Sequence, residues 1–170
     1  MKKITIMIVL LVLSFSSFAQ KSVVKVNPVS LLFGVGKVTY ENVLSEGSSI
    51  ELSLTYSSLD LGVFGKSTGL GGQVKYKIYF AKEAPDGWYV APAIGYSSTK
   101  YSNDLGTEFG INVFNLAALF GHQWVFGNEG GFTIDINTGA RYNNAKIEGD
   151  ALWSGDGVGL AGNISFGWAF

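Results

Sequence analysis

The chain of 170 residues contains no cysteine, three prolines and one histidine. Without cysteine there is neither a disulfide framework nor a thiolate metal site. A lone His122 leaves any metal centre to carboxylates alone, and nothing in their spacing suggests one. Charge is scarce as well: Lys and Arg number 12, Asp and Glu 13, for a formal net charge of −1. That balance argues against a nucleic-acid binder, which would carry a basic stripe. No apolar run beyond the N-terminus approaches the ~20 residues of a membrane-spanning helix. Glycine, at 23 residues, and aromatics, at 14%, are plentiful, which is a β composition.

The N-terminal run has the three parts of a secretory signal. Lys2 and Lys3 are followed by an apolar core from Ile4 to Phe15 and by the small-x-small site Ser17-Phe18-Ala19. Residues 1–19 are therefore expected to be a cleaved signal peptide rather than an anchor, for which the core is too short. Residues 20–170 are expected to form one domain.

Eight segments alternate with a period of two, the spacing of a β-strand. The most regular is the last, where Val158, Leu160, Ile164, Phe166, Trp168 and Phe170 oppose Gly159, Ala161, Asn163, Ser165, Gly167 and Ala169. The first, 22–33, changes face midway and predicts a bulge near Pro28. The others lie near 37–44, 49–56, 70–80, 88–97, 109–126 and 132–142; the sixth is apolar on both faces, which leaves its register open. Short links at 45–48, 82–87 and 127–131 alternate with longer ones at 59–68, 98–108 and 143–157, the 34–36 link being the exception. This pattern predicts an all-β, eight-stranded antiparallel up-and-down barrel, whose closure removes the sheet edges.

Alternation alone does not say which face is outside. A soluble lipocalin-like barrel would turn its apolar face inward around a ligand. Three features favour the reverse. Phe80, Trp88, Trp124, Phe132, Phe166, Trp168 and Phe170 group near the short-link end, while Tyr40, Tyr56, Tyr96 and Tyr142 group toward the other, as at two membrane–water interfaces. The opposite face carries Lys37, Glu41, Glu51, Lys75, Lys77, Asp135 and Arg141, whose mixed signs suit pairing across a narrow lumen. That face is otherwise small, as a crowded interior requires. The expectation is a transmembrane barrel with every backbone group paired internally.

The stretches Lys25-Val26-Asn27-Pro28, Tyr40-Glu41-Asn42 and Gly121-His122-Gln123-Trp124, with the terminal amphipathic strand, resemble the small OmpA/OmpX-like outer-membrane barrels, among them a group of uncharacterised members. The resemblance implies a bacterial outer-membrane location. It also implies contact with outer-membrane lipid and lipopolysaccharide, and a C-terminal signal at Phe166, Trp168 and Phe170 read by the barrel-insertion machinery. It brings no activity, no cofactor and no surface partner.

Other motifs carry little chemistry. Gly157 to Gly162 matches the dinucleotide fingerprint GxGxxG, but a strand follows it where a helix N-terminus must hold the pyrophosphate. His122 as a Ser–His base would make a lipid-acting hydrolase; its place beside Trp124 favours an interfacial role. Asp60, Asp104, Glu108, Glu148, Asp150 and Asp156 are accompanied by Lys66, Lys100 and Lys146 and read as solvated loop surface. The lumen charges read as a structural network rather than a proton path. The expected function is a non-enzymatic structural or surface-interaction protein. The alternatives are a lipid-modifying barrel enzyme, a narrow pore and a soluble periplasmic lipocalin-like binder.

Overall fold

A computed structural model describes residues 22–60, 62, 65–80, 83–102, 108–127, 130–148 and 153–170; the expected signal peptide at 1–19 lies outside them. Eight strands form one antiparallel sheet in sequence order: β1 (Ser22–Val26), β2 (Val35–Ser45), β3 (Ser48–Asp60), β4 (Lys66–Tyr79), β5 (Gly87–Ser102), β6 (Glu108–Phe126), β7 (Gly131–Glu148) and β8 (Trp153–Ala169). The ring closes through β1 against β8, with Val24 opposite Trp168 and Val26 opposite Phe166.

Apart from Ser45 with Ser48 at the β2–β3 turn, where the register shifts, the pairings around the ring join residues of like parity, so one parity faces in on all eight strands. Glu41 stands beside Glu51, Glu51 beside Lys75, and Arg141 beside Ala117 and Gly159. The odd-numbered residues face the bore. Following the pairs from Lys25 around the ring leads to Gly157 on β8, whereas Lys25 itself pairs with Gly167; the closed sheet is staggered by ten residues. With ~3.3 Å per residue and ~4.8 Å between strands, that stagger tilts the strands by about 40°.

The tilt separates a lower ring of aromatics, including Phe80, Trp88, Trp124, Phe132 and Trp168, from Tyr56, Tyr96 and Tyr142 above by roughly 20–25 Å of height. Tyr40 does not belong to the upper group. It pairs with Val24 and Leu52, and its hydroxyl lies 3.0 Å from Ser22 Oγ. Counting from the turns ignores the stagger, which sets β2 lower than β3 and the strands that follow.

The first segment departs from expectation. β1 ends at Val26, and Pro28–Leu31 form a one-turn helix, α1, in place of a bulged strand. The local chemistry is an N-cap: Asn27 Oδ1 accepts from Ser30 N at 2.9 Å, and proline takes the first helical position, where no N–H is needed. Gly34, at φ +70°, then turns the chain into β2; a Cβ there would meet Ser58 O at 2.7 Å.

The predicted long links also shrink. β3 runs to Asp60 and β4 begins at Lys66; β5 and β6 are separated by 103–107, and β7 and β8 by 149–152. The lower link at 80–86 is no shorter, so link lengths do not alternate. The residues read as loop are largely polar, with Leu59, Tyr101 and Ile147 among the exceptions, yet their backbones stay paired, as in Thr99 with Gly69 and Lys146 with Ser154. Where both faces are wet the hydrophobic alternation fades while the ladder continues. β6 is apolar on both faces for a simple reason: Leu116 and Phe120 face out, while Leu119 joins Ala91, Ala93 and Ala161 in a small apolar part of the bore.

Candidate functional site

The lower half of the bore is filled by ions. Lys25, on the shortest strand, is fully buried, and its Nζ donates to Glu41 Oε2 at 2.6 Å, Glu51 Oε2 at 2.7 Å, Asp135 Oδ2 at 2.8 Å and Gln123 Oε1 at 2.9 Å. Lys77 Nζ shares three of these acceptors: Asp135 Oδ2 at 2.7 Å, Gln123 Oε1 at 2.8 Å and Glu41 Oε2 at 3.0 Å. Lys75 Nζ stands 2.6 Å from Glu51 Oε1, off the hydrogen-bonding direction, so this contact is an ion pair alone. Three ammonium groups thus meet three carboxylates, and the cluster is neutral.

Hydroxyls complete the carboxylates. Glu41 Oε1 accepts from Ser49 Oγ at 2.5 Å and Tyr79 Oη at 2.7 Å; Asp135 Oδ1 accepts from Tyr89 Oη at 2.5 Å and Asn137 Nδ2 at 3.3 Å. Lys77 Nζ also lies 4.4 Å from the centroid of the Tyr89 ring, within cation–π range. Dehydrating an ion costs several kcal/mol, and only dense pairing of this kind offsets it.

Glu41, Glu51 and Asp135 bring carboxylate oxygens within 4.8 Å of one another, the spacing of a metal site. Here Lys25 and Lys77 already hold the inner oxygens, so two ammonium groups stand where a cation would. A general acid or base is equally poorly served, because Glu41 and Asp135 accept donors on both oxygens and Glu51 is held by ammonium groups on both of its own.

Of the seven predicted lumen residues, Glu41, Glu51, Lys75, Lys77 and Asp135 meet in this cluster. Lys37 and Arg141 stand apart, higher in the bore, lining a cavity of about 420 Å³ with Gln73, Asn115 and Asn163. Lys37 Nζ donates to Asn163 Oδ1 at 3.3 Å. Lys25, Gln123, Tyr79 and Tyr89 were missed. The last two follow from the alternation of β4 and β5. Lys25 was legible between outward Val24 and Val26, but the supposed change of face in the first strand obscured it.

The remaining candidates disperse. His122 is on the outer wall, its ring 4.7 Å from that of Trp88 and 4.2 Å from that of Trp124. Gly157 to Gly162 lie within β8, with no helix after them. Asp60 makes an exposed 3.6 Å pair with Lys66, Glu148 accepts from Asn112 and Asp156 from Tyr142; Asp104 and Asp150 lie outside the described residues. Trp168 and Phe170 are exposed on the outer wall and Phe166 stacks on Phe132, 6.1 Å between centroids. No family model matches the chain, and no curated protein or solved structure matches it either.

Proposed function

We propose that this protein is an integral outer-membrane β-barrel of the small OmpA/OmpX-like kind, non-enzymatic, serving as a membrane anchor whose upper end meets the envelope surface or a partner. One observation carries the reading: the wall is apolar all around while the bore holds the ions. Leu54 is 73% exposed and Leu160 94%, and Leu52, Ile78, Ile94, Phe120 and Ile136 join them, whereas Glu41, Lys77 and Asp135 are fully buried. In water an apolar surface of this extent would drive association, since soluble monomers expose patches of only a few hundred Å². In lipid it is the stable arrangement. The height between the two aromatic levels agrees with the ~25 Å apolar band of such barrels.

On this reading outer-membrane lipid and lipopolysaccharide wet the wall, and the insertion machinery reads Phe166, Trp168 and Phe170. The secretory route begins with residues 1–19. A lipocalin-like chamber would need an apolar bore, and a pore would need an open one; the ion cluster opposes both. Membrane fractionation with a heat-dependent gel shift tests the proposal. The protein should sediment with the outer membrane and migrate faster unheated than boiled. Recovery in the soluble fraction would refute it.

A further inference from the structure

The bore divides its charges unevenly. The lower cluster balances itself, three ammonium groups against three carboxylates. Lys37 and Arg141, in the cavity above, form no ion pair among the described residues. Among the described residues, Arg141 Nε is a buried donor without an acceptor, and Lys37 has only the long hydrogen bond to Asn163. Two uncompensated, half-buried cations facing one cavity are costly, and an anion between them removes that cost.

The rest of the lining suits an oxyanion. Gln73, Asn115 and Asn163 offer amide donors, and Thr55, Ser97 and Thr99 offer hydroxyls. At about 420 Å³ the cavity falls in the size range of small-molecule sites. Its wall is also the least continuous part of the ring. β1 pairs with β2 only from Val38 to Asn42 and with β8 only from Phe166 to Ala169. Above Val26, α1 stands between β2 and β8, tied across by Asn27 Nδ2 to Asn163 Oδ1 at 2.8 Å. Ser30 of that helix lines the cavity.

We infer that the upper cavity binds a phosphate group, free or as a lipid headgroup, between Arg141 and Lys37. The guanidinium supplies paired N–H donors and the ammonium a point charge. The inference does not depend on what surrounds the wall, because the site is inside the ring.

The test is calorimetric titration of the full chain, folded in maltoside micelles, with inorganic phosphate and separately with dihexanoyl phosphatidate. Saturable binding of either supports the site. Binding of phosphate itself assigns a free ion as the source, and binding of phosphatidate alone assigns a lipid headgroup. Lys37→Gln and Arg141→Gln should each weaken binding about tenfold or more, the loss expected for one charge-assisted contact. Asn115→Asp, which places a carboxylate in the cavity, should do the same and serves if the cation variants fail to fold. Lys66→Gln, on the exposed rim, should change nothing. No saturable heat with either probe, or undiminished affinity in the folded variants, overturns the inference. A chain that stays monodisperse without detergent would refute the membrane reading and leave this titration decisive.

Discussion

Lys25→Met removes the ammonium group on which the bore cluster converges. Its Nζ is within 2.9 Å of Glu41, Glu51, Asp135 and Gln123, and all four are buried. The remaining charges are two ammonium groups against three carboxylates, so one buried negative charge has no counterpart. Removing one partner of a buried pair costs about 3–5 kcal/mol, most of it the stranded charge rather than the lost bond. If the stranded charge is the cause, Lys25→Met with Asp135→Asn, which restores two against two and leaves Lys75 with Glu51 and Lys77 with Glu41, should recover at least ~1 kcal/mol relative to the single variant. Urea unfolding in lipid vesicles, followed by tryptophan fluorescence, measures both. With a urea slope of about 1–3 kcal/mol per molar, the single variant should lower the midpoint by at least ~1 M. A single variant as stable as the parent, or a double variant less stable than the single, would refute the charge-balance argument.

Three further outcomes follow from the wall, the seam and the cap. Leu52→Arg, about midway between the aromatic levels, should cost about 2–4 kcal/mol in the same vesicle assay, and Tyr142→Arg near the rim about 0–1 kcal/mol; equal effects would contradict a lipid-facing wall. Gly167→Ala drives a Cβ into Val24 O, at the β1–β8 closure. It should cost about 1–3 kcal/mol by strain and weaken the gel shift of the unheated protein. Asn27→Ala deletes both the α1 cap and the bridge to Asn163. It should cost about 0.5–2 kcal/mol and speed hydrogen exchange at Ser30, whose amide it leaves unpaired.

Much of the fold was legible because its signal is local. A side chain two residues on points the same way, so Ile134, Ile136 and Ala140 declare one face and Asp135, Asn137 and Arg141 the other without reference to the rest of the chain. The errors arose where a different local rule competed. Asn27-Pro28 has the chemistry of a helix start, whereas the strand rule predicts a bulge there, and the change of face that a bulge implies hides Lys25. The upper strand ends read as loops in the sequence because largely polar residues silence the alternation that hydrophobic contrast provides.

The sequence by itself determined the strand faces, the absence of thiolate chemistry, and a pool of inward charges that nearly balance. It could not apportion those charges. Lys25 and Asp135 are 110 residues apart and meet at 2.8 Å only because ten residues of stagger bring their strands to one level. The same closure leaves Lys37 and Arg141 above, facing a cavity instead of a carboxylate. Which face a residue takes is settled by its neighbours along the chain, whereas the ion it meets depends on how the whole ring shuts.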